Sequence, residues 1–336
     1  MTDAPLTAAS PAQTDHAAPL DPPRAWWQFS LRTLLVLVTL IAVPLAWFVS
    51  GPERQRRAVN ELLARGVYLD FEREAGGVPG DECWLPEAYF RRVREVFISR
   101  AKHTDELLEI AAELPGVTLL TIRQSDTTAK GAAYLGTMTS LKVLTLGEPQ
   151  SDDTWLPHIG KLRNLVRLDM TSDHFTGAGL VHLQDLTNLE GLFFWGAPLD
   201  DQGLQHLQKM TKLKSLRLPP SISDAGLIHL TPLQSLQELN LRATRIQGAG
   251  LLHLQALPAL QYLNMRSSRL EDDGLVFLTR CPALNNVDVR NTRVTIAGVE
   301  KLLFASKLTY LWFDEDEQKA SEEVARINAE LSRRQQ

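Results

Sequence analysis

Leu236-Gln237-Glu238-Leu239-Asn240-Leu241-Arg242-Ala243-Thr244-Arg245-Ile246-Gln247-Gly248-Ala249-Gly250-Leu251-Leu252-His253-Leu254-Gln255-Ala256-Leu257 carries two hydrophobic periods in one short segment. Leu239 and Leu241 alternate and turn to the same side of a strand. Leu251 and Leu254, three apart, share one side of a helix. Neither element can bury its apolar side alone, so the segment needs a neighbour to cover it.

The neighbour is another copy of itself. The position of Leu236 recurs at Val93, Val117, Leu141, Leu165, Leu189, Leu213, Leu260, Leu284 and Leu308, with a period of 24 broken by a single interval of 23 between Leu213 and Leu236. The missing residue falls in the loop Leu218-Pro219-Pro220-Ser221-Ile222. Such a period predicts a curved α/β solenoid over residues 93–313, about nine units and a final strand, with parallel strands on the concave face and short helices on the convex face. Gly179, Gly203, Gly226, Gly250 and Gly274 each precede a helix leucine. They predict either close helix-to-strand approach or a permissive backbone at the helix start.

Thr244-Arg245-Ile246-Gln247-Gly248-Ala249-Gly250-Leu251 and Ser221-Ile222-Ser223-Asp224-Ala225-Gly226-Leu227 resemble the T-x-I-T-D-A-G-L repeats of the leucine-rich-repeat superfamily. Many members carry Asn after the strand. Here Ser125, Thr244, Ser268 and Thr292 take that place and are expected to bond loop backbone through their hydroxyls, whereas Asp173, Ala197 and Pro149 interrupt the series. Together with Phe29-Ser30-Leu31-Arg32-Thr33-Leu34-Leu35, Arg54-Gln55-Arg56-Arg57-Ala58-Val59 and Trp84-Leu85, the repeats are similar to planctomycete membrane-anchored leucine-rich-repeat proteins. The resemblance implies an anchored repeat domain and carries little mechanism.

Residues 1–25, rich in Ala, Pro, Thr and Asp, are expected to form a disordered tail. Residues 26–50 then read as a transmembrane helix with its interfacial flank: Thr33 to Ser50 is 18 residues without a charge, close to the roughly 20 that cross a bilayer. Trp26, Trp27 and Trp47 stand near its ends, where indoles favour the interface. A cleaved signal peptide is the main alternative, and Ala46-Trp47-Phe48-Val49-Ser50 makes a poor cleavage site for it. Arg24 and Arg32 before the span against Arg54, Arg56, Arg57 and Arg65 after it lean weakly toward a cytoplasmic repeat domain on a single-pass membrane protein.

The solenoid's open ends need covering. Residues 53–92 are assigned to an N-terminal cap, with Ala58, Leu62 and Leu63 on the apolar side of a helix ended by Gly66 and an extra strand at Val67-Tyr68-Leu69. Residues 314–336 are assigned to a C-terminal capping helix, where Val324, Ile327 and Leu331 recur at helical spacing. A partner helix is the other use of that face.

Within L-x-x-L-x-L the intervening side chains face the concavity, and parallel pairing sets equivalent residues in columns under about 5 Å apart. One column reads Arg123, Gly147, Thr171, Trp195, Pro219, Arg242, Arg266, Arg290, Asp314. The next reads Thr121, Thr145, Asp169, Phe193, Arg217, Asn240, Asn264, Asp288, Trp312, and a third contains Glu238, Tyr262, Asn286 and Tyr310. Three stacked arginines repel unless acids or a ligand answer them, and Glu238 and Asp288 are the available acids. Phe193, Trp195, Arg217, Asn240, Arg242, Tyr262, Asn264, Arg266, Asp288, Arg290, Tyr310 and Trp312 are therefore the candidate ligand-binding residues, rich in the types that dominate interfaces. Trp195 needs either a ligand or a packing neighbour such as Pro219. Asp169 beside Arg167 reads as a local surface pair.

A net charge of -5 and 22% charged residues exclude a strongly basic nucleic-acid binder, and 44% hydrophobic residues exclude a wholly disordered chain. Phosphate-loop, nucleophile-elbow, H-E-x-x-H and C-x-x-C patterns are absent from the sequence. Cys83 and Cys281 form no ligand cluster and are expected as reduced or buried thiols. His158, His182, His206, His229 and His253 recur once per unit on the helical side, but adjacent helices stand about 8–10 Å apart, too far for shared zinc ligation at about 2 Å. No metal, cofactor or enzymatic activity is expected. The sequence reads as a protein- or peptide-binding module, an acidic peptide among the candidates, with lipid contact through the N-terminal helix. An envelope scaffold and a glycan or small-anion binder remain as alternatives.

Overall fold

Leu236, Leu239, Leu241, Ile246, Leu251, Leu254 and Leu257 are all fully buried, each contributing roughly 1.5–3 kcal/mol by leaving water. In the computed structural model, which describes residues 53–71, 93–147, 151–314 and 322–335, their counterparts in successive units form one continuous core. The expected membrane span, the tail and Cys83 lie outside the described residues. Among those residues no helix is long and apolar enough to cross a membrane.

Among the described residues eleven strands form a single sheet in strict sequence order. They are β1 (Tyr68–Phe71), β2 (Val93–Ser99), β3 (Leu119–Arg123), β4 (Val143–Gly147), β5 (Arg167–Thr171), β6 (Gly191–Trp195), β7 (Ser215–Arg217), β8 (Glu238–Asn240), β9 (Tyr262–Asn264), β10 (Asn286–Asp288) and β11 (Tyr310–Trp312). From β2 onward all pairs are parallel and in the register the period dictates. The short unit keeps that register, since Leu216 stands beside Leu239. The residue lost near Pro219 is thus absorbed in the loop and leaves the strand face undisturbed. This is a solenoid of leucine-rich, repeat-like units with a long parallel sheet.

The helical halves differ along the chain. Thr104–Ala112, Ala129–Leu135, Asp272–Leu278 and Ile296–Ala305 are α-helical, whereas Ala178–Leu183, Gln202–Leu207, Asp224–Leu230 and Ala249–Ala256 are 3-10 helices. A three-residue turn eclipses residues i and i+3, which suits the Leu-x-x-Leu spacing: Leu227 and Leu230 are both buried, as are Leu251 and Leu254.

The glycines before these leucines serve neither of the two roles expected from sequence. Their close approach is to the preceding unit, not to a strand, and of the five only φ values outside the left-handed region occur. A β-carbon at Gly179 would overlap Asp153, one at Gly226 would meet Asp201, and one at Gly274 would meet the Cα of Gly248. The vacancy admits a clasp between units. Asp105 accepts the N–H of Thr128 at 2.9 Å and its hydroxyl at 2.5 Å, and Asp153 does the same with Thr176 at 2.9 and 2.5 Å. Asp201 holds Ser223 at 2.9 and 2.5 Å, and Asp272 holds Thr295 at 2.8 and 2.7 Å. Asp224 accepts three backbone N–H groups of the next unit, from Gln247 (2.8 Å), Gly248 (3.0 Å) and Gly250 (2.7 Å). Asp126 reaches backward to the N–H groups of His103 and Thr104, both at 2.9 Å, and the Thr104 bond foremost holds its carboxyl below the usual range.

Two of the post-strand hydroxyls close their own turns, Thr244 donating to the carbonyl of Leu241 at 2.7 Å and Thr292 to that of Val289 at 2.6 Å, whereas the Ser125 hydroxyl meets that of Thr127 at 2.7 Å and that of Ser268 accepts the Leu270 N–H at 3.4 Å. At the unit where Asp173 interrupts the series, Ser172 fills in from one position earlier, buried and donating to the Ser151 carbonyl at 2.5 Å.

At the N-terminal end a helix over residues 53–64 buries Ala58 and Leu62. Leu63, expected on that side, is 49% exposed, because its position one residue past Leu62 turns it roughly 100° around the helix. Strand β1 pairs antiparallel to β2. At the other end the helix Glu322–Gln335 buries Ile327 and Leu331, and Arg334 donates to the carbonyls of Ser306 (2.9 Å) and Leu308 (3.1 Å). Cys281 is a free, buried thiol whose desolvation pushes its pKa up to about 11.

Candidate ligand-binding face

The parallel register assembles the expected columns. Phe193 stands beside Arg217, Arg217 beside Asn240, Asn240 beside Asn264, Asn264 beside Asp288, and Asp288 beside Trp312. Tyr262, Asn286 and Tyr310 form the flanking column. Arg242, Arg266 and Arg290 lie just past the paired segments, where the ladder continues through Leu241 N–H to Asn264 O (2.8 Å), Met265 N–H to Asp288 O (2.8 Å) and Val289 N–H to Trp312 O (2.8 Å).

A device that the sequence reading missed fixes how each arginine leaves the sheet. The side-chain oxygen of Asn240 accepts the Arg242 N–H at 3.1 Å, that of Asn264 the Arg266 N–H at 3.0 Å, and that of Asp288 the Arg290 N–H at 3.1 Å. This is the local side-chain-to-backbone turn that Asn and Asp favour. The following residues, Ala243, Ser267 and Asn291, then take φ of 62°, 62° and 55°. The signal was present as Asn or Asp two residues before each Arg.

Arg217 at the end of β7 and the arginines just past β8, β9 and β10 have different electrostatic fates. Arg290 makes a two-point contact with Asp288, at 2.9 Å from Nε and 2.7 Å from a terminal nitrogen, on a carboxylate side chain only 3% exposed. The hydrogen bond that Arg290 donates to Asp288 raises the Arg290 pKa further. Glu238, the other expected acid, instead accepts the Ser215 hydroxyl at 3.0 Å. Among the described residues no carboxylate lies within ion-pair distance of Arg217, Arg242 or Arg266, and the Nε of Arg266 is buried without a hydrogen-bond partner. Burial first, and the charge of Arg242 second, lower the Arg217 pKa.

Trp195, 44% exposed, has Arg217 as a neighbour: the guanidinium stacks 3.6 Å from the ring centroid. Phe193 lies between Gly191, where a β-carbon would come within 2.9 Å of the ring, and Arg167, stacked at 4.3 Å. Arg167 also donates to Asp169 at 3.1 Å. At the far end Tyr310 and Trp312 are stacked with centroids 6.0 Å apart, and Tyr262 meets Trp312 edge-on at 6.2 Å, reaching across β10. The Asn264 amide donates to the Tyr262 hydroxyl at 3.3 Å. The face thus offers an aromatic group at each end and unpaired guanidinia between them.

No protein-family model matches the chain, and no curated protein matches its sequence. Two internalins are similar in structure. One, an internalin (inlF) from Listeria monocytogenes, shares 17% identity over 62% of this chain and 71% of that chain, with a TM-score of 0.43. Internalin C2 from the same organism shares 20% identity over 55% of this chain and 84% of that chain, with a TM-score of 0.39.

Other surfaces converge less. The five histidines sit one per unit on the convex side, and among the described residues no three metal-ligating side chains cluster. A groove of about 600 Å³ at the leading ends of β3 to β7 is lined by Lys142, Asn164, Asn188, Glu190 and Lys212, and none of the candidate residues enters it. Its polar groups largely satisfy one another: Asn164 and Asn188 donate to backbone carbonyls, and Lys212 donates to Asn188 at 2.8 Å.

Proposed function

We propose that this chain is a non-catalytic recognition protein whose concave face binds a protein or peptide. The observation that carries the reading is the set of Arg217, Arg242 and Arg266 in three successive units, none with a carboxylate at ion-pair distance among the described residues, in a chain of net charge -5. Guanidinia held this way are poised for carboxylates from outside. Trp195, Tyr310 and Trp312 supply apolar contact beside them. The charge-free stretch Thr33 to Ser50 supports an anchor that keeps this face at a membrane, and the arginine excess after the stretch favours the cytoplasmic side.

The test is affinity capture from native membranes with the detergent-solubilised full chain, compared with an Arg242→Ala/Arg266→Ala variant. A partner retained by the parent and lost by the variant, with matched thermal unfolding, is the expected result. Equal recovery by both removes the arginines from recognition. Resistance of the full chain to alkaline extraction, with release when residues 1–52 are deleted, is expected of the anchor.

A further inference from the structure

We infer that Arg242 and Arg266 together hold one doubly charged oxyanion, the phosphate monoester of a phosphorylated residue on the peptide that this face recognises. The inference rests on the reading of the concave face given above and names the group that is read there. Register, charge and one buried donor carry it.

Arg242, Arg266 and Arg290 occupy one column. Backbone bonds from the Ala243 N–H to the Arg266 carbonyl and from the Ser267 N–H to that of Arg290, both at 2.9 Å, carry the parallel register past the paired segments. They set the three arginines side by side, about 4.8 Å apart at each step. Arg217 stands outside that column, beside Asn240 and stacked on Trp195. Like charges directly opposite one another on neighbouring strands repel. At Arg290 the repulsion is relieved by the two-point contact with Asp288. Arg242 and Arg266 have no such contact among the described residues. Glu238 lies four residues before Arg242, about 13 Å along the strand, and turns to Ser215.

Two positive charges are thus left on adjacent guanidinia. The contact between Asp288 and Arg290 shows what a carboxylate does on this face: its two oxygens take the Nε and one terminal nitrogen of a single guanidinium. One carboxylate would answer Arg242 or Arg266 and leave the other, and two carboxylates one strand step apart would repel in turn. A phosphate monoester brings close to two charges and three acceptor oxygens on one centre. It can accept from both arginines at once.

The buried donor is the Nε of Arg266, which has no hydrogen-bond partner. A polar group in that state is costly to keep. The equivalent Nε of Arg290 meets an Asp288 oxygen at 2.9 Å, and a phosphate oxygen held between the two side chains would stand to Arg266 as that oxygen stands to Arg290. Asn240 and Asn264 accept the backbone N–H groups of Arg242 and Arg266 and fix where the two side chains leave the sheet. The pair is therefore set before a ligand arrives, which lowers the cost of binding.

The experiment measures fluorescence anisotropy of labelled, alanine-flanked peptides on the detergent-solubilised full chain. One peptide carries phosphotyrosine. A second carries sulfotyrosine, of the same shape with one charge fewer, and a third carries two adjacent glutamates, which place two charges on two groups. The phosphotyrosine peptide is expected to bind at least about tenfold tighter than either of the others. That advantage should vanish in Arg266→Ala and fall in Arg266→Lys, which keeps the charge and removes the Nε donor. It should persist in Arg123→Ala, in the same column at the end of β3, five strands from β8. Thermal unfolding checks that each variant is folded. Parity among the three peptides, absence of binding by all of them, or an advantage that survives Arg266→Ala overturns the inference, and displacement by inorganic phosphate at equal concentration overturns the peptide as carrier. Such results leave the broader reading standing if membrane capture still yields a partner lost in Arg242→Ala/Arg266→Ala, and both fall together if it does not.

Discussion

Replacing Asp224 with alanine isolates the energy of one junction between repeats. Its carboxylate accepts the N–H groups of Gln247, Gly248 and Gly250, all from the following unit. Gln247 is exposed, and water replaces its bond at little cost. The other two donors are partly buried, and each orphaned N–H costs roughly 1–3 kcal/mol. Asp224→Ala is therefore expected to lose about 3 kcal/mol, and Asp224→Asn, which keeps an acceptor but no charge, about half of that. Hydrogen exchange at the Gly250 amide reads the junction directly, with about 3 kcal/mol corresponding to a rate roughly 150-fold faster. Urea unfolding supplies the global value. The control is Asp185→Ala, whose carboxylate meets the exposed Arg163 at 3.3 Å and Lys209 at 3.7 Å and should cost under about 0.5 kcal/mol. A loss below about 1 kcal/mol at Asp224, or one matching Asp185, refutes the idea that these carboxylates hold the units together.

Gly248 combines φ of +134° with a Cα neighbour, that of Gly274, 2.5 Å from where a β-carbon would sit, so Gly248→Ala is expected to cost about 3 kcal/mol or more in urea unfolding. Ala243→Gly, at φ 62°, should be neutral or stabilising by up to about 1 kcal/mol in the same assay. Hydrogen bonds from Arg333 and then Arg334 hold the Glu330 carboxyl down at about 2, against about 4.3 in an unfolded chain. This depressed acid contributes fully above the unfolded value, and its contribution drains away as pH falls from about 4.3 toward 2. Exchange in the helix Glu322–Gln335 should rise over that window and not above it. Cys281, with its thiol raised to about 11, should resist maleimide at pH 8 in a Cys83→Ser background and react at once in denaturant; rapid labelling of the native chain would contradict its burial.

What the period fixes, the sequence shows plainly. A 24-residue repeat with alternating leucines determines which side chains share a face and a column, and Phe193, Arg217, Asn240, Asn264, Asp288 and Trp312 stand where counting puts them. What escapes is any choice among neighbours of equal distance. Trp195 lies beside Pro219 in its column and Arg217 across it, and only the rotamers decide that the Arg217 guanidinium stacks on the ring. Arg290 finds Asp288 two residues back, while Glu238 turns to Ser215 and leaves Arg242 unanswered. The aspartate clasps were missed because they recur in most but not all units, so a search for one period passes over Asp105, Asp153 and Asp201.

Those clasps also bear on how such a chain can lengthen or shorten. In the first half of the solenoid they fall in every second unit, with Asp105 answered by Thr128 and Asp153 by Thr176. Excising residues 117–140 would bring Asp152 to the place of Thr128 and set two carboxylates face to face. Excising two units would bring Thr176 there instead and restore the bond. Leucines alone would let the protein grow or shrink one unit at a time; the acids and hydroxyls between them make the pair of units the step by which this half of the gene can be duplicated or lost without a fault at the seam.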